Sequence, residues 1–208
     1  MEDINQTSEK NVNKCGCNQT EKKYDQRKTV LAYLHDLTYL LCGILLVFLL
    51  LFRVVVVSGS SMKNTLINGD YILLLNNAFY SDPQRGDIVV ASKKAFEYGS
   101  PIIKRVIATE GQTVIIDGVN DKIYVDGEEL KEDYIDTSFL DYDNLQVTVE
   151  KGCVFVMGDN RMNSKDSRST EIGQIDRREI LGKAIFLFLP GKEPVTKTRD
   201  FKRMRGLW

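Results

Sequence analysis

Thr113-Val-Ile-Ile-Asp-Gly-Val-Asn-Asp-Lys-Ile-Tyr-Val-Asp-Gly-Glu-Glu-Leu130 carries two short apolar runs, Thr113–Ile116 and Lys122–Val125, separated by a turn rich in Asp, Gly and Asn. Asp126-Gly127 then stands between Lys122–Val125 and Glu128–Leu130. Asp-Gly supplies the positive φ angles of a tight hairpin, so the stretch predicts antiparallel strands. The same alternation of run and turn continues in both directions. Upstream it gives Tyr71–Leu75, Asp87–Ala91 and Ile102–Ala108; downstream it gives Leu145–Val149, Val154–Met157 and Ala184–Leu189. Many short strands, little helical periodicity and no internal repeat predict a mainly β, antiparallel domain over residues 58–195.

Ahead of that domain the chain changes character. Met1 to Lys28 is polar and has no apolar period, which reads as a loosely ordered tail. Leu37 to Phe52 is sixteen residues without a charge, Arg53 interrupts, and Val54–Val57 extends the apolar stretch. Residues 37–57 are therefore predicted as one transmembrane helix, long enough at 1.5 Å per residue to span roughly 30 Å of hydrocarbon. Arg53, near its end, would reach back to the headgroups. A buried soluble helix is rarely apolar on every face over such a length. A cleaved signal peptide has a short charged region before its apolar core, whereas 36 residues precede this one. Lys22, Lys23, Arg27 and Lys28 place residues 1–36 on the cytoplasmic side and everything after Val57 on the extracytoplasmic face. Thr196–Trp208 is a basic tail, read as a solvated end in preference to a strip lying on the membrane.

A chain of 208 residues holds one domain and an attachment. Its 28 Lys and Arg balance 29 Asp and Glu, which argues against a nucleic-acid binder. The single histidine, His35, precedes the predicted membrane helix, so the outer domain has none. That excludes a Ser-His-Asp triad, a Cys-His pair and a His-based zinc site there. Beyond Ser58 the only cysteine is Cys153, so no internal disulfide staples the domain. Cys15 and Cys17 fall short of a closed zinc shell and read as reduced thiols; Cys42 lies in the apolar run. No metal or organic cofactor is expected.

Without histidine, hydrolytic chemistry needs another base, and a lysine whose charge is disfavoured by burial can serve. In the run Ile102–Ile107, Lys104 shares a strand face with Ile102 and Val106, while Arg105 points to the opposite face and, if buried, needs a carboxylate. Lys104 alone reads better as a solvated edge-strand lysine that blocks aggregation. Two further segments change that balance. Ser58-Gly-Ser-Ser61-Met-Lys-Asn-Thr-Leu66 begins where the predicted membrane helix ends, and Gly158–Arg168 concentrates Asp, Asn, Arg and Ser beyond what a turn requires.

With these segments in hand, the sequence resembles the bacterial type I signal peptidases, the membrane-bound Ser/Lys leader peptidases. The likeness is carried by Gly59-Ser-Ser61-Met62 with Thr65-Leu66, Gly86-Asp-Ile-Val-Val90, Lys104-Arg105, and Gly158-Asp-Asn-Arg through Asp166-Ser-Arg168. Gly182-Lys-Ala184 with Phe186 and Pro190 adds to it. The resemblance implies Ser61 as nucleophile and Lys104 as general base. It implies Ser164 as a hydrogen-bonding orienter of the base, Asp166 and Arg168 as a supporting ion pair, and Asp159 as the partner of Arg105. The oxyanion hole would use the Ser61 N–H. Relatives that add a hydroxyl two residues earlier have it where this chain has Gly59, so Ser60 or a second backbone group is the candidate substitute. Asn64 replaces a proline usual in relatives, and Ala108–Gln112 departs from their Gly-x-Pro-Gly-Asp pattern.

The resemblance thus implies a single-pass membrane serine endopeptidase. It would remove signal peptides from exported precursors at the extracytoplasmic face, monomeric and with no nucleic-acid partner. Its expected partners are the precursors' signal peptides and the lipid bilayer. A self-cleaving Ser/Lys protease and a catalytically silent, membrane-anchored β module that binds exported peptides are the alternatives.

Overall fold

The computed structural model describes residues 29–93, 100–135, 144–193 and 196–207. Met1–Lys28, with Cys15 and Cys17, lies outside the described residues, as does Trp208. The chain divides into two compact units, Met1–Leu49 and Leu50–Trp208.

The N-terminal helix, α1, runs over Thr29–Leu51, 23 residues and so about 35 Å at 1.5 Å per residue. Its apolar side chains face outward all round, among them Leu40, Ile44, Leu45 and Leu49. A helix with apolar side chains exposed on every face suits a lipid environment. Both ends of the predicted helix move. Residues 29–36, assigned above to the polar tail, form its first two turns and include His35. At the other end, Phe52–Val56 is not helix but strand β1. Apolar composition alone cannot separate the two states, and the run of valines, stiff at χ1, turns the chain from helix to strand.

The second unit is built on antiparallel sheets, the fold class expected from the run-and-turn pattern. Its further strands are β2 (Tyr71–Asn76), β3 (Ile88–Ser92), β4 (Pro101–Thr109), β5 (Thr113–Asp117), β6 (Lys122–Val125), β7 (Glu128–Glu129), β8 (Leu145–Thr148), β9 (Cys153–Met157), β10 (Ile175–Asp176), β11 (Ile180–Leu189) and β12 (Arg205–Gly206). The large sheet runs β1-β2-β11-β3-β4-β9-β10, with β12 added against β11; the smaller sheet runs β7-β6-β5-β8. Asp126 and Gly127 both adopt positive φ, as the β6–β7 hairpin requires.

β11 is the spine of the large sheet. It pairs with β2 from Gly182↔Asn76 to Leu189↔Tyr71. On its other edge it pairs first with β3, then with β12 at Phe186↔Gly206 and Leu187↔Arg205. At Gly182 a Cβ would lie 2.2 Å from the Leu75 carbonyl oxygen, so only glycine lets β11 approach β2. The tail expected to be a solvated end is therefore an edge strand. Leu207 is buried and Arg203 is ion-paired with buried Asp70, because β3 is too short to cover the far half of β11.

Alternation places the cores. On β3, Ile88 and Val90 join one apolar cluster with Met62, Leu66, Ile72 and Leu187, whereas Val89 and Ala91 join another with Ile102, Val106 and Val156. A third cluster, around Val114, Ile116, Ile123 and Phe155, sits under the small sheet. A bulge between Val106 and Ala108 sends Ile107 and Ala108 together into that third cluster. The same β4 thus serves both sheets.

Candidate active site

β4 and the segment after β1 build the site. Val57 and Gly69 close the base of the loop between them: Val57 N–H donates to the Asp70 carbonyl at 2.8 Å, and Gly69 N–H donates to the Val57 carbonyl at 2.8 Å. Met62 and Leu66 point into the core and fix the loop from below. Ser61 is left on its rim, and Lys104 Nζ lies 2.8 Å from Ser61 Oγ.

Lys104 is only 4 % exposed. Ile102 and Val106 flank it two residues away on β4, and Val89, opposite it on β3, belongs to their cluster. Burial pushes its ammonium from the usual lysine range down to about 8; Asp166 and Asp159 pull the other way, and Arg168 adds to the lowering. Its remaining hydrogen bond goes to the Ile103 carbonyl, 3.1 Å away.

Arg105, the next residue, turns to the other face. Its guanidinium makes a bidentate pair with Asp159, Nε to Oδ1 at 2.9 Å and Nη2 to Oδ2 at 2.7 Å. Thr65 donates to the same carboxylate at 2.5 Å, the Gly86 carbonyl accepts from Nη1 at 2.9 Å, and the Tyr134 ring covers the guanidinium at 3.9 Å. A buried ion pair persists only when its remaining donors and acceptors are met, and here they are met on every side. Arg161 donates to the Gly158 carbonyl at 3.0 Å and pairs with Glu132, to which Tyr134 also donates.

The Gly158–Arg168 loop returns to the site from the end of β9. Arg168 grips Asp166 through Nε at 2.8 Å and Nη2 at 3.0 Å. Ser164, expected to hydrogen-bond Lys104, donates instead to Asp166 Oδ2 at 2.7 Å, and that oxygen also accepts the Gly158 N–H at 2.9 Å. A Cβ on Gly158 would lie 2.3 Å from Ser164 Oγ and 2.5 Å from the Ser61 carbonyl, which accounts for glycine at this point. Ser61 and Lys104 therefore meet at one point, with the Asp166–Arg168 pair behind the lysine and the Asp159–Arg105 pair beneath the loop.

Two asparagines, given no role by the sequence reading, complete the contact. Asn160 donates its N–H to the Ser61 carbonyl at 2.9 Å and its Nδ2 to the Ser60 carbonyl at 3.1 Å. Asn163 Nδ2 donates to Ser60 Oγ at 2.9 Å. The density of amides in Gly158–Ser164 was the available signal, since ordinary turns need only one. Thr65 likewise emerges as the side chain joining the nucleophile loop to Asp159.

A groove of about 560 Å³ opens beside Ser61. Val55–Ser61 forms one wall, Pro101–Lys104 another, and Met62 and Val90 lie between them. Since β2, β11 and β3 separate β1 from β4 in the sheet, the sheet must coil for one groove to touch both.

A serine hydroxyl in hydrogen-bond contact with a buried amine of lowered pKa, on the wall of an extended groove, is the equipment of a hydrolase that works without histidine. A family model described as "Signal peptidase, peptidase S26" matches residues 30–189. Signal peptidase I T of Bacillus subtilis strain 168 is 33% identical over 200 residues, covering 90% of this chain and 97% of that protein. A "Probable signal peptidase I-1" of Synechocystis sp. is 38% identical over 141 residues, 64% of this chain and 69% of its own. The crystal structure of a signal peptidase I from Enterococcus faecalis V583 matches with 29% identity and a TM-score of 0.42, covering 49% of this chain and 96% of that one. The chain belongs to the signal peptidase family, peptidase S26.

Proposed function

We propose that this protein is a membrane-anchored serine endopeptidase that removes signal peptides from exported precursors, with Ser61 as nucleophile and Lys104 as general base. The observation that carries the reading is the 2.8 Å contact between Ser61 Oγ and a Lys104 amine whose pKa lies near 8. Family membership supports the substrate class.

In the neutral state Lys104 accepts the Ser61 proton as Oγ attacks the scissile carbonyl. The tetrahedral oxyanion is met by the Ser61 N–H and by the Ser60 hydroxyl. Asn163 can only donate to Ser60 Oγ, so the Ser60 hydrogen stays free for the oxyanion. Lysine then returns the proton to the leaving amine. Lys104, neutral again, takes a proton from a water that attacks the acyl-enzyme carbonyl, and passes it to Ser61 Oγ as the ester bond breaks. Asp166 and Arg168, paired with each other, act on the base through their charges, Ser164 fixes the Asp166 carboxylate, and Asp159 with Arg105 holds the nucleophile loop. No step needs a metal or organic cofactor.

Helix α1 anchors the chain in the bilayer, with its basic N-terminal flank on the cytoplasmic side. Ser61 follows the helix end, Leu51, by ten residues, so the cut falls near the outer membrane surface, where a precursor's own apolar segment presents its cleavage site. The cleavage region lies extended in the groove, adding main-chain hydrogen bonds to a strand edge. Residues one and three before the cut then point the same way, toward a groove lined by Val55, Val57 and Ile103, and the family's substrate class favours small side chains there. The enzyme acts as a monomer.

The deciding experiment is cleavage of a secretory precursor by the purified full-length chain. Wild type should release the signal peptide, while Ser61→Ala and Lys104→Arg should not, because guanidinium stays protonated in the working pH range. Replacing Ala by Leu immediately before the cut should suppress cleavage strongly, by about 1–3 kcal/mol of overpacking. Turnover by Lys104→Arg would remove the dyad. Equal processing of the Leu precursor would remove the substrate reading and leave the chemistry.

A further inference from the structure

We infer that the C-terminal segment Thr196–Leu207 is a clamp on the nucleophile loop, and that Arg203 is a positioning residue for Ser61. The inference rests on the assignment of Ser61 above and concerns what holds that residue in place.

The clamp acts through Asp70, whose side chain is fully buried. Asp70 occupies the base of the loop: its carbonyl takes the Val57 N–H, and its carboxylate takes the Ile67 N–H at 2.8 Å. The carboxylate is completed from the other end of the chain. Arg203 donates from Nη1 to Oδ1 at 2.9 Å and from Nη2 to Oδ2 at 2.8 Å, and the Gly191 N–H donates at 2.6 Å. Four donors on one buried carboxylate leave it no unmet acceptor. Withdrawal of the guanidinium would leave the charge without its counter-ion at the point where the loop closes.

A second contact reaches the loop's floor. Leu207 is 5 % exposed, its N–H donates to the Ile185 carbonyl at 3.1 Å, and its side chain belongs to the cluster that contains Val57, Met62 and Leu66. Met62 follows the nucleophile directly. The tail thus holds the loop at its base through Arg203 and at its floor through Leu207. A 2.8 Å contact between Ser61 and Lys104 tolerates little drift before proton transfer slows.

The test uses full-length Arg203→Met, Arg203→Lys and Leu207→Ala. Each is measured for kcat per folded molecule and KM on a secretory precursor, and for amide hydrogen exchange over Ser58–Asn68. Arg203→Met should lower kcat about tenfold or more with KM changed less than about twofold, as expected for lost alignment rather than lost binding. Arg203→Lys should recover most of that loss, and Leu207→Ala should share its direction. Exchange over Ser58–Asn68 should quicken about tenfold in Arg203→Met. If Arg203→Met does not fold, the Leu207→Ala readings decide. Unchanged kcat per folded molecule together with unchanged loop exchange overturns the clamp, however far the melting temperature falls. A wild-type chain that leaves precursors intact would defeat the protease reading, and the exchange measurement would still decide the clamp.

Discussion

Lys104 is asked to be buried and basic at once, and both demands have measurable consequences. Burial holds its folded pKa near 8, against the usual value of 10.5. Only the neutral amine accepts the Ser61 proton, so kcat should climb as pH rises through about 8 and level off above it. A rate that is flat from pH 6 to pH 9 would contradict the assignment. The same shift bears on stability. A lysine with a depressed folded pKa destabilises the fold most at pH below about 8, and the penalty fades as pH rises from there toward 10.5. Lys104→Met should therefore raise stability at pH 7 by about 1–3 kcal/mol, with the advantage shrinking in alkali. Denaturant melts of both proteins at pH 7 and pH 10 check the size and the sign, and a gain that grew with pH would contradict the burial account.

At the scale of elements, the decisive contact is where β11 meets β2. Gly182→Ala would place a Cβ on the Leu75 carbonyl, forcing the strands apart. The expected cost is about 1–3 kcal/mol, read as a lower urea midpoint with the chemistry of the surviving folded molecules intact. Most strands were legible as elements, because short runs such as Tyr71–Leu75 and Lys122–Val125 alternate and end at Gly or Asp turns. β1 was not, since Val54–Val57 continues an apolar stretch and hydrophobicity alone carries no period there. β10 and β12 have two residues each, too few to show any pattern. The site was legible where its residues fall close together, as in Gly158–Arg168. It was hidden where contacts span the chain: Asn163 to Ser60 across 103 residues and Arg203 to Asp70 across 133 leave no local trace.

At the largest scale described, the large sheet is two halves joined by one strand, β11. β1 and β2 with the Ser61 loop form one half; β3, β4, β9 and β10, with Lys104 and the Gly158–Arg168 loop, form the other. A chain ended at Glu179 keeps every residue of the proposed mechanism yet lacks β11, so it should be unfolded by circular dichroism and inert toward precursors. If that fragment cleaved, the sheet order would not be what assembles the site. During synthesis the same order acts as a clock. Serine and lysine emerge early, long before the strand that joins their halves, so the growing polypeptide carries a complete but unassembled set of chemical groups. Pairing strands so far apart along the chain is slow, and the newborn polypeptide is inert toward its neighbours until β11 has been made.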